Sequence, residues 1–305
     1  MDFVHLSQTP PPALRDPALV VAFTGRGDAG SAASSAALLM LRGRQQVRLA
    51  DLDPEAFYVL TRARPIVRDS SRGGRIHWPS LTFLAGRSGG DERDLVVLAA
   101  AEPHLRWRGF AEAVAETWQT LGGGPGILLG AFLAQVLHVG PVPLVGSGSS
   151  PRVSALLRAL GVAPSQYAGP ATALTPIQEA LTSRGIDCAD VWAAVPSYLA
   201  PFPNPKATAA LLRVVSLLLE VRLEAPDLDR AAARFEARVN LALSARAYRP
   251  PESGSAQAPP DAVASDQAST GQLPTGDEAI RDVERLLGLG PDGDSAPERG
   301  PTPDA

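Results

Sequence analysis

Leu19-Val20-Val21-Ala22-Phe23-Thr24-Gly25-Arg26-Gly27-Asp28-Ala29-Gly30-Ser31 is the stretch whose reading decides the fold. An apolar run, a glycine-rich turn and the small-residue segment from Ser31 to Leu41 read as strand, turn and helix. The spacing also matches a dinucleotide fingerprint. The glycines serve the turn and the pyrophosphate, and a second strand ends in an acid, Asp51, 21 residues beyond Gly30. Asp28 opposes that reading, because it puts a carboxylate where backbone amides must face two phosphates. Arg26 offsets this only in part. Downstream, the strand runs straight into Asp53-Pro54-Glu55, where Asp51 or Asp53 caps a proline-opened turn. The stretch is better read as a glycine-permitted strand-to-helix turn with an acid near the helix N-terminus.

Outward from this turn, short apolar strands alternate with helical segments. Strands are expected at 19–24, 47–51, 81–85, 94–100, 126–131, 142–146 and 189–195. Helices are expected at 31–42, 108–121, 151–160, 174–185 and 205–220. Leu95–Ala100 and Gly126–Gly130 are nearly continuous apolar runs, as strands buried on both faces require. The alternation implies a three-layer α/β/α sandwich with a largely parallel sheet. Ile66-Val67-Arg68 and Arg75-Ile76-His77-Trp78, on either side of a serine- and glycine-rich turn, read as an inserted β-hairpin. Thr175, with Pro176 after it, is the expected cap of the helix at 174–185.

Residues 1–17, with Pro10-Pro11-Pro12, read as an extended arm. Residues 18–248 form one domain. It ends in a C-terminal helix at 227–247, whose apolar stripe (Leu228, Ala232, Phe235, Val239, Leu243) docks on the body or on a neighbouring subunit. From 249 to 274 the composition turns to Pro, Ser, Ala, Gly, Gln and Asp, too polar to order itself. Residues 275–290 carry a capping box and a short amphipathic helix with Ile280, Val283, Leu286 and Leu287. Residues 291–305 read as a disordered tail.

Composition narrows the function classes. A net charge of −4 over 305 residues gives no electrostatic footprint for nucleic acid, and no basic block points to a membrane surface. No apolar run reaches the roughly 18 residues that span a bilayer. The N-terminus lacks the pattern of a signal peptide, so a cytoplasmic location is expected. Cys188 is the single cysteine, and the four histidines show no metal-ligand spacing. Lys206 is the single lysine in an arginine-rich chain. No cofactor or metal is implied.

Three blocks carry polar side chains at expected strand ends, where α/β proteins place their sites. The first is the turn holding Asp28. The second is Glu102-Pro103-His104-Leu105-Arg106-Trp107-Arg108. Its acid, arginines and tryptophan suit an anion or a flat ligand. Alternatively, Glu102 pairs with Arg106 and Trp107 anchors a helix. The third is Asn204-Pro205-Lys206-Ala207-Thr208. Asn204 is a good N-cap and Pro205 a good first helical residue. Lys206 opposes the helix dipole there, so it is expected to pair with Glu102 or Asp28. Asp28, Glu102, Arg106, Trp107, Asn204 and Lys206 therefore form the candidate polar cluster. The stretch from Gly140 to Ser150, entering a helix at Pro151, is a weak phosphate loop without the Lys-Ser/Thr ending of a P-loop; Gly146-Ser147-Gly148 matches a nucleophile elbow only loosely, and no hydrolase triad is evident.

These blocks, with Asp53-Pro54-Glu55-Ala56-Phe57-Tyr58, Arg75-Ile76-His77-Trp78-Pro79 and Trp192-Ala193-Ala194-Val195-Pro196-Ser197-Tyr198, resemble the bacterial branch of the proteasome assembly chaperone family. That family is named for the second eukaryotic chaperone, and the similarity covers roughly residues 15–250. It implies a core related to nucleoside phosphorylases and a homo-oligomer, a trimer in the bacterial branch. It also implies a protein-binding role with a proteasome-related client. Relatives dock on proteasome rings through a C-terminal hydrophobic-tyrosine-any-residue tail. The ending Pro301-Thr302-Pro303-Asp304-Ala305 departs from it. The leading expectation is a self-associating, non-enzymatic interaction module. The alternatives are a small-molecule-binding protein or enzyme using a phosphorylase-like cleft, and an NAD-binding enzyme with Gly25, Gly27 and Gly30 facing a crevice.

Overall fold

A computed structural model of the chain describes residues 3–68, 74–90, 92–223 and 225–247. The expected linker, terminal helix and tail beyond 248 lie outside the described residues, as does the turn of the inserted hairpin. In chain order the elements are β1 (Val4–Leu6), β2 (Ala18–Thr24), α1 (Ala32–Leu39), β3 (Gln45–Leu52) and α2 (Pro54–Phe57). Next come β4 (Ile66–Arg68), β5 (Arg75–His77), β6 (Leu81–Arg87), β7 (Leu95–Ala101), α3 (Trp107–Leu121) and β8 (Gly126–Ala134). Then follow β9 (Leu144–Gly148), α4 (Pro151–Ala159), β10 (Ala163–Pro164), α5 (Leu174–Thr182), β11 (Cys188–Pro196), α6 (Pro205–Leu219) and α7 (Pro226–Ala247).

The main sheet runs β1-β3-β6-β7-β2-β8-β11-β9-β10. Its centre, β7-β2-β8-β11, is parallel, with Leu19 beside Val96 on one side and Gly126 on the other. Antiparallel strands flank this centre: β6, β3 and β1 beyond β7, and β9 beyond β11. The edge strand β1 was not evident in residues 1–17, where nothing but the pairing with Ala50–Leu52 marks Val4–Leu6 as a strand. The continuous apolar runs mark buried central strands, as expected: Ala18 to Phe23 and Leu95 to Ala100 are all buried.

The two faces of β2 feed two cores. Ala18, Val20 and Ala22 face α1, α4 and α6, while Leu19, Val21 and Phe23 face α3 and α5. On the first face every residue of α1 is buried, because α6 lies over it. Only small side chains allow that enclosure, which explains the run Ala32-Ala33-Ser34-Ser35-Ala36-Ala37. The second core is built on larger side chains, among them Phe57, Phe83, Phe110 and Trp118. The three-layer α/β/α sandwich is thus complete. The inserted hairpin forms its own two-stranded sheet, with Ile66 opposite His77. Helix α7 docks on α6 through Leu228, Ala231 and Phe235, and Leu241 and Leu243 beyond them are exposed.

Candidate functional site

The carboxyl ends of β2, β7, β8 and β11 lie side by side, so the turns that follow them meet along one edge of the sheet. Backbone hydrogen bonds stitch these turns together. The Ala131 N–H donates to the Gly27 carbonyl (2.7 Å), Glu102 N–H to Thr24 (3.0 Å) and Asn204 N–H to Gly30 (2.8 Å). Asp28, 8% exposed, points back into the protein. Its carboxylate accepts from the backbone N–H groups of Ala33 (2.8 Å) and Ser34 (3.2 Å) and from the Ser34 hydroxyl. It therefore caps the buried first turn of α1, as the helix-terminus reading expected. Burial raises its pKa from 3.8 to about 6, and the three hydrogen bonds oppose that rise.

The glycines of this turn are packed against the protein's own residues. A side chain at Gly27 would meet the Trp192 ring at 3.3 Å, and one at Gly30 would meet the Asn204 Cβ at 2.8 Å. Gly30, with φ +62°, is a glycine for two reasons at once: its conformation and its packing. The Trp192 Nε1–H donates to Asp190 Oδ2 (3.0 Å), which fixes the ring over both Gly27 and Gly130.

Glu102 does not pair with Arg106. Its Oε1 accepts from the Ala173 N–H (2.9 Å) at the start of α5. This corrects the expected cap of that helix. Thr175 lies inside α5 and donates its backbone N–H to the Thr172 carbonyl (3.1 Å), so the capping acceptor comes from 71 residues away. Arg106, at φ +54°, precedes α3 and sets its guanidinium over the Phe3 ring at 5.7 Å. The Trp107 Nε1–H donates to the Pro103 carbonyl (2.6 Å) and its ring packs on the second core, as a helix anchor.

Asn204 caps α6 as expected, accepting from the Ala207 N–H at 3.0 Å. Lys206 is the larger correction. Its ammonium donates to the Glu236 carboxylate on α7 and to the His138 carbonyl (2.6 Å), not to Glu102 or Asp28. Both of those acids are directed at helix N-termini, which leaves the lysine to bridge outward. Asp28 and Asn204 thus adjoin through Gly30, Glu102 adjoins Gly25, and Arg106, Trp107 and Lys206 point elsewhere. Beside Asn204 and Lys206 lies a recess lined also by Leu137, Val142, Ala194 and Phe235. It has room for about one water molecule (≈ 10 Å³). Small-molecule sites are usually roughly 300–1,000 Å³.

One constellation was not legible beforehand. The His138 ring bonds Tyr198 Oη through Nδ1 (2.7 Å) and Asn240 Oδ1 through Nε2 (2.8 Å), and the His138 N–H donates to the same Tyr198 oxygen (3.0 Å). These partners lie 60 and 102 residues from His138, and no local spacing encodes the contact.

The fold and these closed strand-end turns define an α/β/α protein whose carboxyl edge is occupied by its own side chains. The chain belongs to the PAC2 family, which its sequence matches over residues 22–243. A PAC2 family protein from Streptomyces avermitilis is 35% identical, with a TM-score of 0.69 over 74% of this chain and 95% of that one. A proteasome-assembly chaperone homologue from Mycobacterium tuberculosis is 33% identical, with the same TM-score and coverage. An archaeal proteasome activator from Pyrococcus furiosus shares the fold at 16% identity, with a TM-score of 0.63 over 80% of this chain and all of that one. No curated protein matches.

Proposed function

We propose that the protein is a non-enzymatic, chaperone-like interaction module that acts in the cytoplasm as a homo-oligomer, a homotrimer, with a proteasome-related protein as client. The observation that carries this reading is a band of exposed apolar side chains around the carboxyl edge of the sheet. Leu133, Leu137, Val139, Tyr198, Phe202 and Leu241 all lie on it, Leu137 and Leu241 each 72% exposed. His138 ties their segments together through Tyr198 and Asn240. Clustered apolar side chains at a surface mark protein contacts. The chaperone homologue at 33% identity supports the client class. In this reading Asp28, Glu102, Arg106, Trp107, Asn204 and Lys206 are the rigid support of that edge rather than a ligand site.

Light scattering on the purified chain tests self-association, with three copies expected and a monomer at micromolar concentration contradicting it. Capture from the host is expected to recover proteasome α-ring subunits, and recovery of the chain alone counts against the client. Thermal-shift titration with nucleotides, nucleosides and phosphate tests the small-molecule alternative, and a saturable rise in Tm with any of them displaces the non-enzymatic reading.

A further inference from the structure

The net charge of −4 conceals an uneven distribution. Residues 1–249 carry 25 Arg and Lys against 21 Asp and Glu, whereas residues 250–305 carry three Arg against eleven acids. Within the first part, arginine is densest around the inserted hairpin, with five Arg and one Asp between 62 and 75.

The hairpin β4–β5 is a two-stranded ribbon outside the main sheet. Two-stranded ribbons are marginally stable without a surface to pack on. Its Val67 and Ile76 are directly opposed and 61% and 57% exposed, and Trp78, just past the end of β5, is also exposed. On the other side Arg68 stands directly opposite Arg75, an unfavourable like-charge pair. No described carboxylate pairs with either guanidinium. The ribbon thus presents an uncovered apolar face and a concentrated positive charge. Its complement combines apolar side chains with acids.

The chain supplies such a complement. Residues 277–287, Asp-Glu-Ala-Ile-Arg-Asp-Val-Glu-Arg-Leu-Leu, place Ile280, Val283 and Leu287 three and four apart among Asp277, Glu278, Asp282 and Glu284. We propose that this acidic C-terminal segment docks on the β4–β5 ribbon of its own chain, its apolar residues on the Val67–Ile76 face and its acids along the ribbon's edges, which the long Arg68 and Arg75 side chains reach from the other face. The reach is sufficient. The ribbon follows the carboxyl end of β3, and α7 lies over α6, which follows the carboxyl end of β11. Those strands are five positions apart in the sheet, about 24 Å at strand spacing. A flexible chain of the length of 248–276 has a root-mean-square span of about 30 Å. The proposal uses a surface separate from the apolar band above and stands whether or not that band binds a client.

Amide hydrogen exchange on the full chain tests it. Val283→Asp with Leu287→Asp is expected to speed exchange in residues 66–68 and 75–77 by about tenfold, since a docked segment protects what it covers. Exchange in the strands and helices of the main sheet is expected to stay unchanged in this variant. Arg68→Glu with Arg75→Glu is expected to release 278–287, and combining it with Asp282→Arg and Glu284→Arg to restore protection. Raising salt weakens protection in the wild type. Unchanged exchange in the ribbon and in 278–287 across these variants overturns the proposal. Cross-linking a mixture of isotopically heavy and light full chains then separates the occupants. Ribbon-to-segment links confined to one isotope support docking within a chain, and mixed links overturn it in favour of a neighbouring copy.

Discussion

At the scale of the residue, Asp28 and Gly30 carry opposite kinds of information. Asp28 is retained in a buried position for its cap, at an electrostatic cost. A carboxyl whose pKa is higher in the native than in the unfolded state adds stability that is fully present below pH 3.8 and lost as pH rises through about 6. The difference corresponds to about 3 kcal/mol. Asp28→Asn keeps a neutral acceptor for the Ala33 and Ser34 amides and abolishes this dependence. Urea unfolding at pH 4, 5, 6 and 7 is expected to show the variant gaining on the wild type as pH rises, and parallel curves would refute the burial argument. For Gly30, both the positive φ and the contact with Asn204 oppose a side chain. Gly43 has a similar φ of +71° and nothing within 4 Å of an added Cβ. Gly43→Ala is expected to cost about 1 kcal/mol of backbone strain. Gly30→Ala is expected to cost about 2–4 kcal/mol, since crowding adds to strain. Equal losses would mean that the Gly30 turn is looser than its packing implies.

At the scale of the element, long-range side chains position two helices. Glu102→Ala is expected to lower stability by about 1 kcal/mol through the lost cap on α5, whereas Glu102→Gln keeps an acceptor and most of the stability. If both variants lose equally, the capping bond is not the reason. Helix α7 outruns the contact of Leu228, Ala231 and Phe235 with α6, and its later turns depend on Lys206–Glu236 and His138–Asn240. Ion pairs this exposed stabilise by less than about 1 kcal/mol, so Lys206→Met combined with His138→Ala leaves global unfolding little changed. Amides of residues 236–244 are nevertheless expected to exchange faster. Faster exchange across the whole body instead would show that these contacts hold the core.

At the scale of the whole molecule, the apolar band spans the turn after β8, the turn after β11 and the end of α7. Leu137→Asp and Phe202→Asp alter exposed side chains, so each is expected to change monomer stability by no more than about 0.5 kcal/mol. The pair is expected to dissociate the oligomer, read as a fall in mass by light scattering. An intact oligomer would move the self-association surface elsewhere. Stability that collapses with the mass would mean the protomer does not fold alone.

How much was legible from the chain depends on the distance between cause and effect. The strands at 19–24 and 94–100, the helices at 108–121 and 205–220 and the Asn204 cap follow from neighbours one to four residues apart, and a linear sequence displays those directly. The inserted hairpin was visible for the same reason. The edge strand at Val4–Leu6, the α5 cap from Glu102, the His138 constellation and the Lys206–Glu236 pair join residues brought together only by the sheet order and by α7 lying back over α6. The sequence alone determined which segments are buried, where helices start, and that the opening glycine turn carries a capping acid. Tertiary structure alone decided which charge meets which, because a side chain's partner depends on the three-dimensional order of the elements and not on their order along the chain.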